Sequence, residues 1–126
     1  TIQLFRCWVS AQSPSESPVD QPHKEISVNL GDPATLQCCI SKSDFGSIAW
    51  LKLTKRTKPQ TIVYFYAHAG ETFYNESQKS RFKIERFSSC INVTILNILK
   101  SDEGMYYCMI TYPYAVFGDG TDLKIE

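Results

Sequence analysis

The sequence predicts an all-β fold, a two-sheet antiparallel sandwich. Three observations predict it. Short runs of β-branched and aromatic residues recur along the chain, most of them alternating apolar with polar and separated by turn residues. No segment sustains the 3.6-residue apolar period of a helix. Cys38 and Cys108 lie in two of these runs with Trp50 between them, a spacing that lets the cysteines meet across two packed sheets with the indole against the bridge.

The first eighteen residues stand apart from this pattern. An apolar stretch, TIQLFRCW, gives way to small polar residues and two prolines, so residues 1–18 are an N-terminal extension or the remnant of a leader. Val9-Ser10-Ala11 has the small residues that a signal peptidase prefers, although a basic start and long apolar centre are missing. From residue 19 the strands begin. ISVNL (26–30) alternates and is stopped by Gly31-Asp32-Pro33. ATLQCCI (34–40) places Ala34, Leu36, Cys38 and Ile40 on one face. SIAWLKL (47–53) follows a turn at Gly46, and TIVYFY (61–66) follows Pro59. RFKIE (81–85) alternates, and CINVTILNI (90–98) puts Ile91, Val93 and Ile95 on one face. GMYYCMI (104–110) and AVFGDGTDLKIE (115–126) complete about nine strands, with one helical turn near residues 100–103.

A chain of 126 residues suffices for one domain with its own core. Thirteen basic side chains balance thirteen acidic ones, which gives no electrostatic case for nucleic acid or an anionic membrane surface. Five cysteines and the sequons Asn75-Glu76-Ser77 and Asn92-Val93-Thr94 fit an oxidising, secretory compartment. No run of about 18 apolar residues is present, so any membrane anchor lies in segments outside this sequence.

Finer detail narrows the fold. Tyr106, two residues before Cys108, occupies a tyrosine-corner position whose hydroxyl bonds back to backbone near Asp102. Asp102 is also placed to pair with Arg81. Together, residues 31–38, Trp50, Arg81-Phe82, Asp102 with Tyr106-Tyr107-Cys108, and Phe117-Gly118-Asp119-Gly120-Thr121 resemble an immunoglobulin variable-type domain over residues 19–126, the last motif resembling the joining segment of antigen receptors. The chain departs from that pattern at Leu53, where antigen receptors usually carry a Gln that pairs two variable domains. In detail it is most similar to the novel immune-type receptors of bony fish. The resemblance implies the ligand-binding ectodomain of an innate immune receptor at the cell surface, recognising a protein on another cell. A T-cell receptor variable domain, a T-cell co-receptor and an adhesive immunoglobulin-type module are the alternatives.

The resemblance also implies site residues. It makes the strands of Cys39 and Cys90 neighbours in one sheet. Both cysteines point outward, so a second disulfide, Cys39–Cys90, is expected beside Cys38–Cys108; the latter closes a loop worth about 4 kcal/mol. Cys7 is then left over, either as a link to another chain, as a free thiol, or removed with a leader. Three loops are expected to cluster at one end: the first with Ser43, Asp44 and Phe45, the second with His68, and the third, 111–115, with Tyr112, Pro113 and Tyr114. A Tyr gives contact area at low entropic cost and Pro stiffens the third loop, although either Tyr could instead fold back on its own sheet. Alternation about Trp50 and Cys108 sends Leu51, Leu53, Tyr107 and Met109 outward, with Phe117 joining them, an apolar patch suited to pairing with a second copy or another variable-type domain. Asn75 and Asn92 are the candidate glycan acceptors.

Other chemistries have little support in the residues. His23 and His68 have no ligand-spaced partners, adjacent Cys38-Cys39 is poor metal-ligand spacing, and Gly118-Asp119-Gly120 lacks the Lys and following helix of a phosphate loop. The glycines read better as a bulge that bends the last strand. Neither an enzymatic activity nor a cofactor is expected. Residues 104–109 carry no Arg, which argues against the sialic-acid recognition found in some variable-type domains.

Overall fold

The computed structural model describes residues 17–41, 46–54, 58–66 and 70–126. Eleven strands are present among them: β1 (Val19–Asp20), β2 (Glu25–Val28), β3 (Ala34–Ile40), β4 (Ser47–Leu53), β5 (Gln60–Tyr66), β6 (Glu71–Phe73), β7 (Phe82–Phe87), β8 (Cys90–Ile95), β9 (Gly104–Tyr112), β10 (Val116–Phe117) and β11 (Thr121–Ile125). One sheet has the order β1-β3-β8-β7; the other runs β2-β11-β9-β4-β5-β6, with β10 also paired to β9. The fold is therefore the two-sheet sandwich that the alternation predicts.

The core follows from the period of two. Leu36, Cys38 and Ile40 of β3, Ile91, Val93 and Ile95 of β8, Ile48 and Trp50 of β4, Val63 and Phe65 of β5, and Tyr106, Cys108 and Ile110 of β9 are all buried between the sheets. Trp50 stands directly opposite Cys108 in the β4–β9 register, which puts the indole beside the bridge between the sheets. Cys38 and Cys108 are joined, with Cα atoms 6.3 Å apart. Cys39 and Cys90 are joined on the outer side of the other sheet, where they are cross-strand partners with Cα atoms 3.9 Å apart.

Four features differ from the sequence expectation. First, β2 pairs with β11 in parallel, so one ladder departs from the antiparallel rule. Second, the run 115–126 is two strands, because residues 118–120 break the ladder between β10 and β11. Third, β6 and a six-residue 3₁₀ helix, Glu76–Arg81, occupy a stretch with no alternation to announce them. The Asn75 carboxamide starts that helix by accepting from the Ser77 backbone N–H (3.1 Å) and hydroxyl (2.7 Å). Fourth, β9 extends to Tyr112, so Thr111 belongs to the strand rather than to the loop, its hydroxyl bonded to that of Ser47.

One end of the sandwich is closed by a polar knot. Arg81 donates twice to Asp102, at 3.0 and 2.6 Å, and the Tyr106 hydroxyl donates to the Asp102 carbonyl at 2.5 Å. The same carboxylate accepts from the Leu99 backbone N–H at 2.7 Å, at the start of the 3₁₀ turn Lys100–Asp102. Burial alone would raise the Asp102 carboxyl, but the bonds from Arg81 and Leu99 outweigh it and hold the group below the usual carboxylate value. Burial likewise pushes the Tyr106 phenol up, with the Asp102 charge adding to it.

Candidate functional site

Two outward regions of the larger sheet carry the recognition candidates, and they are contiguous. On the sheet face, Leu51 is the cross-strand partner of Tyr107, and Met109 is flanked by Ala49 on one side and Phe117 on the other. Phe117 is 56% exposed and Leu53 36% exposed, while Leu51, Tyr107 and Met109 are half-buried against their neighbours. The rings of Tyr107 and Phe117 meet edge to face, 6.4 Å between centroids. The structure thus brings all five predicted face residues onto one surface. It adds Tyr64 and Tyr66, which alternate with buried Val63 and Phe65 along β5 and so share that face. Alternation within TIVYFY was the available signal for both, obscured because every residue of the run except the first is apolar or aromatic.

The loop tip stands at the end of the same sheet. Tyr112 and Tyr114 are 65% and 54% exposed, on either side of Pro113, whose preceding peptide bond is cis. Tyr112 is also packed at home: a side chain at Gly46 would come within 2.4 Å of its ring. Tyr112 is therefore both exposed and packed against Gly46 near one edge of its ring. Ser43, Asp44, Phe45 and His68, and with them most of the first and second predicted loops, lie outside the described residues, as does Cys7.

Phe117 reaches this surface through a residue that the sequence reading missed. Gln21 is a buried polar side chain, 6% exposed. Its amide donates to the Tyr106 carbonyl at 3.0 Å, and its oxygen accepts from the N–H groups of Cys108 (3.1 Å) and Gly120 (2.9 Å). It thus ties the break between β10 and β11 to the middle of β9. The two glycines make room for it: a Cβ at Gly118 would lie 2.4 Å from the Gln21 oxygen, and Gly120 has φ of +92°. The Gly-Asp-Gly stretch is shaped by the approach of Gln21 as well as by the bend of the strand. An isolated Gln ahead of the first long strand carries no periodicity, so nothing local marked it.

The two candidate glycan acceptors sit differently. Asn75 is exposed at its helix cap, whereas Asn92 is half-buried on the outer face of β8, where its oxygen accepts from Gln37 at 3.0 Å. Among the described residues, no cluster of His, Cys, Asp and Glu is arranged to hold a metal ion.

Two sheets joined by a buried bridge beside a tryptophan, a tyrosine corner and a broken last strand define a variable-type immunoglobulin sandwich. Residues 21–126 match the family model described as the immunoglobulin V-set domain, and the chain belongs to that family. It is 28% identical over 119 residues to the rat tyrosine-protein phosphatase non-receptor type substrate 1, an alignment covering 94% of this chain and 22% of that protein. It is 32% identical over 88 residues to human cell adhesion molecule 1, covering 69% of this chain and 17% of that protein. The chain thus spans about a fifth of the length of these relatives. A solved marsupial T cell receptor superposes with a TM-score of 0.77 at 18% identity, over 86% of this chain and 51% of that one, a likeness of fold.

Proposed function

We propose that this chain is the ligand-binding ectodomain of an innate immune receptor at the cell surface, similar to the novel immune-type receptors of bony fish. In this reading the end loops, with Tyr112, Pro113 and Tyr114 at the tip, recognise a protein on another cell. The outer face of the larger sheet pairs with a second variable-type domain, and the secreted protein carries glycans at Asn75 and Asn92. The observation that carries it is the continuous uncharged surface of Leu51, Leu53, Tyr107, Met109 and Phe117, with Phe117 more than half exposed. Soluble domains seldom leave such a patch open unless a partner covers it. Leu53 makes the face more apolar at the position where antigen receptors use a hydrogen-bonding Gln.

The test is sedimentation across a concentration series of the wild type and of Phe117→Asp and Leu53→Asp, which alter exposed side chains outside the core. The wild type is expected to associate and both variants to remain monomeric with unchanged circular dichroism. Association that survives both substitutions refutes the face. A wild type monomeric throughout restricts the proposal to pairing with a different variable-type domain.

The similarity to cell adhesion molecule 1 favours a second reading, an adhesive module. In that case beads coated with this domain would clump with one another, and Phe117→Asp would abolish clumping.

A further inference from the structure

The outer face of the smaller sheet has a different composition, ordered in rows across β3, β8 and β7. The first row is Thr35, Thr94 and Lys83, with the two hydroxyls hydrogen-bonded at 2.8 Å. The second is Gln37, Asn92 and Glu85. The third is the Cys39–Cys90 bridge with Phe87, 51% exposed, at its edge. The first two rows hold hydroxyl, carboxamide, carboxylate and ammonium groups and no large apolar side chain. Asn92 is in the middle row of an interior strand. Val93 points into the core at 1% exposure, so Asn92 and Thr94 of the sequon share the outward face.

We propose that Asn92 carries an N-linked oligosaccharide that lies along this face and closes it to protein contact. The inference rests on the reading of the chain as an ectodomain that passes through the secretory pathway. In the attachment step, before the strand folds, the Asn92 side-chain nitrogen attacks the anomeric carbon of an oligosaccharide held on a lipid pyrophosphate. The bond from that carbon to the pyrophosphate oxygen breaks, the pyrophosphate leaves with the electron pair, and the amide nitrogen gives up one proton to a base of the transferring enzyme. The Asn92 oxygen is not consumed, so after folding it still accepts from Gln37. The nitrogen makes no other hydrogen bond among the described residues, so the sugar displaces none. Rooted between β3 and β7, the first sugars lie over polar groups that can bond their hydroxyls, and Lys83 and Glu85 fall beneath them. The sandwich then has one face covered by sugar and one apolar face open, and protein partners are directed to the latter.

The experiment uses the chain secreted from animal cells. Glycopeptide mapping of the wild type, Asn92→Gln, Thr94→Ala and Asn75→Gln is expected to show one oligosaccharide lost with either change in the 92–94 sequon. Acylation of Lys83 in the native protein, relative to Lys124 on the other sheet, is expected to rise several-fold after enzymatic removal of the glycans and to be already high in Asn92→Gln. Sugar at Asn75 with none at Asn92 overturns the proposal and leaves the secretory reading standing. Sugar at neither overturns the proposal as well. Sugar at Asn92 with Lys83 equally reactive before and after its removal refutes the shielding.

Discussion

The two disulfides are nested, and this fixes what each is worth. The Cys39–Cys90 bridge spans 51 residues inside the 70 spanned by Cys38–Cys108. Taken alone, a bridge over either span removes about 4 kcal/mol of unfolded-state entropy. With the inner bridge closed, the outer one confines only the 70 residues less the 51 already bypassed, a loop of about 20 residues worth about 3.3 kcal/mol. Together they stabilise by about 7.4 kcal/mol, so removing the inner bridge alone costs about 3 kcal/mol. The perturbation is Cys39→Ala with Cys90→Ala, both half-buried and outside the core. The companion pair, Cys38→Ala with Cys108→Ala, costs about 3.3 kcal/mol for the loop and about 1 more for the cavity left beside Trp50. Removing all four costs more than the two losses combined and consumes most of a stability that for such a domain is about 5–15 kcal/mol. The assay is urea unfolding without reductant. The Cys39→Ala, Cys90→Ala variant should show both the loss of about 3 kcal/mol and a larger m-value, because its unfolded chain expands. A loss below about 1 kcal/mol, or an unchanged m-value, refutes the loop-entropy reasoning.

Two further measurements test the interior polar groups. Gln21→Leu leaves the N–H groups of Cys108 and Gly120 without their acceptor and is expected to destabilise by about 2–4 kcal/mol in urea unfolding, whereas a loss under about 1 would mean that these groups find other partners. Asp102 has a depressed carboxyl in the folded state, so its stabilising effect is complete above about pH 4, where the unfolded chain is ionised, and is lost as pH falls through the folded-state value. Asp102→Asn is therefore expected to lower stability at neutral pH by about 2 kcal/mol and to flatten the acid limb of the stability–pH curve; a variant with the wild-type acid slope would show that other carboxyl groups set it.

How much was legible follows from what carries a local signature. Alternation displayed the core of β3, β8 and β9, because a strand buried on one face repeats every two residues. It also sent Leu51, Leu53, Tyr107 and Met109 outward, since each is an odd number of residues from Trp50 or Cys108 in its own strand; Phe117 joined them through the resemblance, because β10 holds no buried residue to count from. The knot of Arg81, Asp102 and Tyr106 was legible from the placement of Tyr106 two residues before Cys108 in a sandwich, although its bonds join residues up to 21 apart. The parallel pairing of β2 with β11 joins segments almost a hundred residues apart, and nothing in either distinguishes parallel from antiparallel neighbours. β6 is three residues long, too short for a period to repeat. Gln21 was invisible for a related reason: its meaning lies in a carbonyl 85 residues away and an N–H 99 residues away.

That last residue links the fold to its surface. An exposed Phe at the end of a two-residue strand has little to hold it, since β10 pairs with β9 only through Val116 and Phe117. The Gly118 N–H donates to the Cys108 carbonyl at 2.7 Å, and Gln21 binds the N–H of Cys108 and of Gly120, so the chain just after Phe117 is anchored to β9 beside the buried bridge. Phe117 is then held with its ring edge to face against Tyr107. An aromatic side chain ordered in the free domain loses less entropy on pairing than one presented by a loose strand. The anchoring of this exposed aromatic comes from the interior, from a buried side chain whose hydrogen bonds run to Tyr106, Cys108 and Gly120.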